Sequence, residues 1–445
     1  MTRAHRVGFK QINKLAVPSI IAGISEPLLS IVDTAVVGNV QYNSIEALAA
    51  VGIAGSFIAA IVWVIGQTRS AISAIVAQYV GLNKLEKIAS LPAQMIAVNI
   101  SLSVLLYFLT TFFATEIFEL YNADGHVLEY AVSYYKIRAI GLPFSLFVFT
   151  VMGVFTGLQN TFIPMVISVT GALLNVGLDF ILVYGLDGYV APMHVEGAAY
   201  ASIIAQAIMA LMALYFYKKR TSFKLFSFDS IHFEIKRLLV LSVNLFVRAS
   251  ALHVSLYLAN SYATDYGKEY IAAQTICFQI WLLFSFFVDG YASVGSIISG
   301  KLKGAGEGAS LKKLVKDLNK YGVCVALVLM CVCFLFYKNI GLIFTSDAKV
   351  LDVFYTVFWI VIATQPLNAI AFVYDGIFKG LAEAVVLRNT VVVATFFGFI
   401  PALLLADAFD LKLISVWIAF TVWMVFRSGI LYVYFKNNVD IILRR

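Results

Sequence analysis

Charge is what this chain has least of. Asp, Glu, Lys and Arg make up 13% of its 445 residues, against about a quarter in soluble globular domains. Hydrophobic residues reach 61% and mean hydropathy is +0.89. That leaves too little polar surface to cover a water-soluble body, which excludes the soluble class. Cysteine is scarce too: Cys277, Cys324, Cys331 and Cys333 all fall in apolar runs, and none forms a Cys-x-x-Cys pair. Redox and metal-cluster chemistry therefore have no framework, and the thiols read as small hydrophobes. No His-Glu metal motif, nucleophile elbow or phosphate-binding glycine loop occurs, so neither an enzyme nor a cofactor is expected.

Apolar runs of about 20 residues are abundant instead, the length at which a helix crosses a bilayer while satisfying its own backbone. Twelve are expected, near 14–37, 46–80, 92–115, 130–158, 163–185, 197–217, 238–262, 270–300, 318–341, 352–380, 388–406 and 412–435. The first is a full span without a small-residue cleavage site, so no cleavable signal is expected. The +7 formal charge is concentrated around particular loops: Arg3 to Lys14, Lys84 and Lys87, Lys218 to Arg237, Lys301 to Lys316, and Lys436 to Arg445. The alternate loops are nearly free of Lys and Arg. The pattern reports topology, with both termini cytoplasmic, and does not call for a nucleic-acid partner.

The basic stretch 218–237 divides the chain into two six-span lobes, 1–217 and 238–445. The lobes resemble each other. Gly153-Val-Phe-Thr-Gly157-Leu matches Gly376-Ile-Phe-Lys-Gly380-Leu at an interval of 223 residues, and the stretch ending at Gly81 resembles the one ending at Gly304. Duplication is implied, with parallel repeats because six spans return the chain to the same side. The expected fold is all-α: a polytopic membrane protein of twelve helices in two pseudo-symmetric bundles.

Carboxylates inside such spans cost roughly 2.5 to 3.5 kcal/mol each and mark ion or proton pathways. At about 1.5 Å per residue, Asp33 lies roughly 8 Å below the outer surface. Asn175 and Asp179, spaced i,i+4 on one face of the fifth span, and Ser202, descending on the sixth, reach a similar depth. Two carboxylates within reach cannot easily both ionise, so the group reads as a proton or sodium site, with the Ala198 carbonyl as a further neutral oxygen. No other metal is expected. Glu26, two turns before Asp33, is a possible cavity residue or a surface one. Pro18 and Pro27 make the first helix bendable. In the second lobe, Arg248 and Asp289 read either as an ion pair pinning the seventh and eighth helices or as cavity residues contacting substrate, with Asp375, toward the cytoplasmic half, a further cavity candidate. Arg427 and His253 are weaker candidates of the same kind.

Taken together, Ala16-Val-Pro18, Pro27-Leu-Leu-Ser-Ile-Val-Asp33-Thr-Ala-Val-Val-Gly38, Tyr134-Tyr-Lys-Ile-Arg138-Ala-Ile-Gly-Leu-Pro143, Asn175-Val-Gly-Leu-Asp179, Gly197-Ala-Ala-Tyr-Ala-Ser202 and Asp289-Gly290-Tyr are similar to the multidrug and toxic compound extrusion (MATE) transporters, DinF-like branch. The resemblance implies export of organic, often cationic, compounds in exchange for H⁺ or Na⁺. It assigns the cation site to the positions of Asp33, Asn175, Asp179 and Tyr134, and bending of the first helix to Pro18. The partners expected are small organic substrates and the lipid bilayer of the cell membrane, the protein being a monomer. A lipid-linked oligosaccharide flippase is the alternative, but its anionic cargo calls for cations in the spans, where Arg248 has few companions.

Overall fold

The computed structural model describes residues 7–38, 44–121, 123–186, 188–226 and 230–444, without the side chains of 26–35, 38, 44, 45 and 444. Helices dominate because bilayer-length apolar runs have no other way to pair their backbone groups. Among the described residues, ten are long and apolar enough to span: α2 (Glu46–Gly81), α3 (Leu85–Phe112), α4 (Gly125–Gly157), α5 (Phe162–Tyr184), α6 (His194–Arg220), α7 (Ile235–Tyr266), α8 (Lys268–Gly304), α9 (Gly308–Leu335), α11 (Ala384–Asp407) and α12 (Leu413–Leu443). A bent pair, Ala348–Ala363 with Gln365–Gly380, forms α10. With α1 (Phe9–Gly38) these are the twelve helices expected, and the protein is an all-α, multi-pass membrane protein of two pseudo-symmetric six-helix bundles.

Proline accounts for two local departures from regular helix. The 49° bend in α10 falls just before Pro366, which has no N–H for the carbonyl one turn earlier. In α11 the ladder widens to a π-helical stretch at Ala394–Phe399, immediately before Pro401. Widening relieves the clash of the proline ring with the preceding turn. By contrast, α1 stays helical through Pro18 and Pro27.

The duplication has a packing counterpart. A methyl group on Gly153 would meet the backbone of Arg69, and one on Gly157 the carbonyl of Ser73. On Gly376 and Gly380 it would meet the carbonyls of Ala292 and Ser296. Partners as well as glycines are offset by the same 223 residues. In each half, therefore, a glycine pair one turn apart brings the fourth span of its repeat against the second.

The chain separates into two compact units. One comprises the described residues of Met1–Ile20, Ala77–Asn83 and Val243–Arg445; the other, Ile21–Val76 and Lys84–Ser242. The change of unit within α1 comes two residues after Pro18. In the first unit α1 leans on α8: Ser19 Oγ donates to Ser293 Oγ at 3.2 Å, Tyr291 Oη donates to Asn13 Oδ1 at 3.0 Å, and Gly290 leaves room for Ala16 and Ile20. In the second, the Tyr184 hydroxyl of α5 donates to the Val36 carbonyl of α1 at 2.8 Å.

Candidate functional site

In the second unit, helical periodicity sets Asn175 and Asp179 one turn apart on α5, facing α6. Asn175 Nδ2 donates to Asp179 Oδ2 at 2.8 Å, and Ser202 Oγ of α6 donates to Asn175 Oδ1 at 3.4 Å. All three side chains are buried, Asp179 completely. A carboxylate removed from water needs such donors, or else a proton or a cation, because burial of a bare charge is prohibitive. Ala198, one turn before Ser202, and Tyr134 of α4 are buried in the apolar cluster that also contains Val36 and Val37 of α1. Of the expected site, Asn175, Asp179 and Ser202 form one chain, and Ala198 and Tyr134 share one cluster. The side chains of Asp33, Glu26 and Pro27 lie outside the described residues, although the bond from Tyr184 ties α1 to α5 three residues beyond Asp33. Pro18 is half-buried.

The other unit holds a second charged group. Asp375 Oδ2 accepts from Arg248 Nη2 of α7 and, at 2.5 Å, from Arg427 Nη2 of α12. All three side chains are buried. Lys379, one turn after Asp375 on α10, and Asp289 of α8 are close enough for their charges to act on this pair and on each other. An Arg248–Asp289 ion pair pinning α7 to α8 is thus corrected: Arg248 pairs with Asp375, and the tie runs from α7 to α10. Arg427 is further held by aromatic faces, its guanidinium 4.7 Å from the Trp423 ring centre and 5.6 Å from that of Phe372, a favourable contact for a cation. Trp423 Nε1 in turn donates to Thr395 Oγ1 at 3.1 Å. Thr395 lies in the π-helical stretch of α11, so the irregularity before Pro401 fixes a support of the cluster.

The fold and these two buried polar groups leave one comparison to decide the family. Residues 18–181 and 248–404 match the family model MatE. The chain belongs to the MatE family. Among its relatives, DNA damage-inducible protein F of Escherichia coli (strain K12) is 26% identical over 425 residues, 94% of this chain and 90% of that protein. Protein DETOXIFICATION 42 of Arabidopsis thaliana is 26% identical over 307 residues, 69% of this chain but 58% of the plant protein. Among solved structures, the "outward-facing conformation of a multidrug resistance MATE family transporter of the MOP superfamily" is 19% identical with a TM-score of 0.88, covering 98% of this chain and 97% of that one.

The second group of this MatE protein was only partly legible. Asp375 and Lys379, and likewise Trp423 and Arg427, stand at i,i+4 spacing, so each pair shares a helix face. Nothing in the spacing says that the two faces meet. Lys379, Trp423 and Thr395 are the members that sequence reasoning missed.

Proposed function

We propose that the protein is a secondary antiporter of the cell membrane, with both termini cytoplasmic, working as a monomer and exporting small organic compounds in exchange for H⁺ or Na⁺. One observation carries the reading: a fully buried Asp179, bonded to Asn175 and through it to Ser202, inside a membrane-spanning bundle. Family membership supports export as the activity. The lobes 1–217 and 238–445 are the alternating bodies, joined through 218–237. Asp33 and Asp179 are the coupling carboxylates; Asn175, Ser202, the Ala198 carbonyl and Tyr134 supply neutral oxygens. The coupling ion is the only accessory, and no cofactor is needed.

Entry of the cation from outside neutralises the carboxylates. The first helix then changes its bend about Pro18 and Pro27, and release of the ion inside resets the cycle. Each elementary charge moving through 100 mV contributes about 2.3 kcal/mol, enough for more than tenfold accumulation per charge. In everted vesicles, Asp33→Asn and Asp179→Asn each abolish gradient-driven uptake of ethidium while the protein inserts and purifies normally. Imposing H⁺ and Na⁺ gradients separately identifies the ion. Uptake undiminished in both variants refutes the assignment.

A further inference from the structure

Another glycine seam lies inside the unit formed mainly by Val243–Arg445, where the last turn of α2 meets the last turn of α8. A methyl group on Gly81 would run into the Lys301 carbonyl, whose carbon is 2.9 Å from it, and one on Gly304 into the Gln78 carbonyl, whose carbon is 2.8 Å from it. Gly304 follows Gly81 by 223 residues, and Lys301 follows Gln78 by the same 223. The contact is therefore reciprocal: each repeat presents the same two positions to the other, as in the isologous interface of a two-fold dimer.

Reciprocity sets this seam apart from the other glycine contacts. Gly153 and Gly157 against Arg69 and Ser73, and Gly376 and Gly380 against Ala292 and Ser296, join spans within one repeat, so they can persist whatever the two repeats do. Gly81 and Gly304 join equivalent spans of different repeats. Any motion that parts the lobes on this face has to break their contact.

The chemistry suits a joint that opens. The Gln78 carbonyl already accepts from Leu82 N, and the Lys301 carbonyl from Ala305 N, each at 2.9 Å, so separation strands neither oxygen. What parting gives up is close backbone packing, with the weak Cα–H···O contacts that small residues allow between membrane helices, and a bond from Gln78 Nε2 to the Gly380 carbonyl of α10 at 3.1 Å. Lys84 and Lys87 follow α2, and Lys301 and Lys303 end α8. The joint thus lies on the face of the basic loops, cytoplasmic in the export reading.

We propose that the reciprocal Gly81–Gly304 contact is a reversible gate, closed in this structure, that parts when the transport pathway opens on the basic face. The inference rests on the export reading above and assigns it a moving part. Glycine serves at both positions because only a residue without a Cβ lets the two backbones shut this closely.

The full-length protein carries its own reporter positions. Leu82 and Ala305 each follow their glycine and are exposed, so Leu82→Cys with Ala305→Cys takes a short bis-methanethiosulfonate bridge when the gate is shut, identified by mass spectrometry against each single variant. Adding Gly81→Ala or Gly304→Ala raises the open-to-closed ratio about tenfold, within the reach of one overpacked methyl, and bridging slows severalfold. Gly376→Ala, which strains a contact within one repeat, leaves the bridging rate unchanged. With the bridge in place ethidium export stops, and dithiothreitol restores it. Bridging as fast in both alanine variants as in the unsubstituted pair, or gradient-driven export through the bridged protein, overturns the proposal. Ethidium transport that the bridge blocks but neither ion gradient drives sinks the antiport reading alone.

Discussion

Replacing Gly376 by Ala tests whether α10 and α8 approach as closely as the charged cluster requires. The added methyl would lie 2.5 Å from the Ala292 carbonyl carbon and 2.7 Å from its Cα, with the carbonyl oxygen closer still, whereas ordinary contact begins at 3.4 Å. These are backbone atoms and cannot rotate away. The helices must therefore separate by at least about 0.9 Å, an overpacking that costs about 1 to 3 kcal/mol. Alanine returns up to about 1 kcal/mol of helix propensity, so net destabilisation is about 1 to 2 kcal/mol. The shift also draws the adjacent Asp375 from Arg248 and Arg427. Gly153→Ala, its counterpart in the other repeat, carries the same sign because the Arg69 carbonyl lies 2.6 Å from its methyl position. Gly52 and Gly55 of α2 have nothing within 4 Å, and alanine there is neutral or stabilising. SDS-induced unfolding in mixed micelles, followed by tryptophan fluorescence, ranks the four variants. If Gly376→Ala unfolds at the same SDS fraction as Gly55→Ala, the close-approach argument and the repeat drawn from it are wrong.

Two further outcomes follow from contacts inside each unit. Asp375→Asn leaves two buried guanidiniums without their carboxylate, a loss of about 3 to 5 kcal/mol; a thermal midpoint equal to the wild type refutes this. Gln94 accepts from His232 N at 2.9 Å and donates to the Ser230 carbonyl at 2.6 Å, strapping the central loop to α3. With Gln94→Leu, two hydrogen bonds of about 0.5 to 1.5 kcal/mol each are lost, and trypsin cleaves at Lys224 about tenfold faster; an unchanged cleavage rate would show that the strap contributes nothing.

Twelve membrane-length runs, the alternation of basic loops between them and the repeat interval were legible from composition and spacing alone. A bilayer allows an apolar chain few alternatives, and a duplication keeps its register in the sequence. The i,i+4 face carrying Asn175 with Asp179 was legible for the same reason: helical geometry is local. What only the tertiary structure decided was which faces meet. Arg248 stands 127 residues from Asp375 and Arg427 stands 52 from it, and no local rule pairs them; the chain had suggested Asp289 as the partner. Glycine contacts bring α10 onto α8, the π-helical turn before Pro401 sets Thr395 under Trp423, and together these close five charges of four helices into one cluster. Sequence supplied the charges; long-range packing in a low-dielectric interior decided which of them pair.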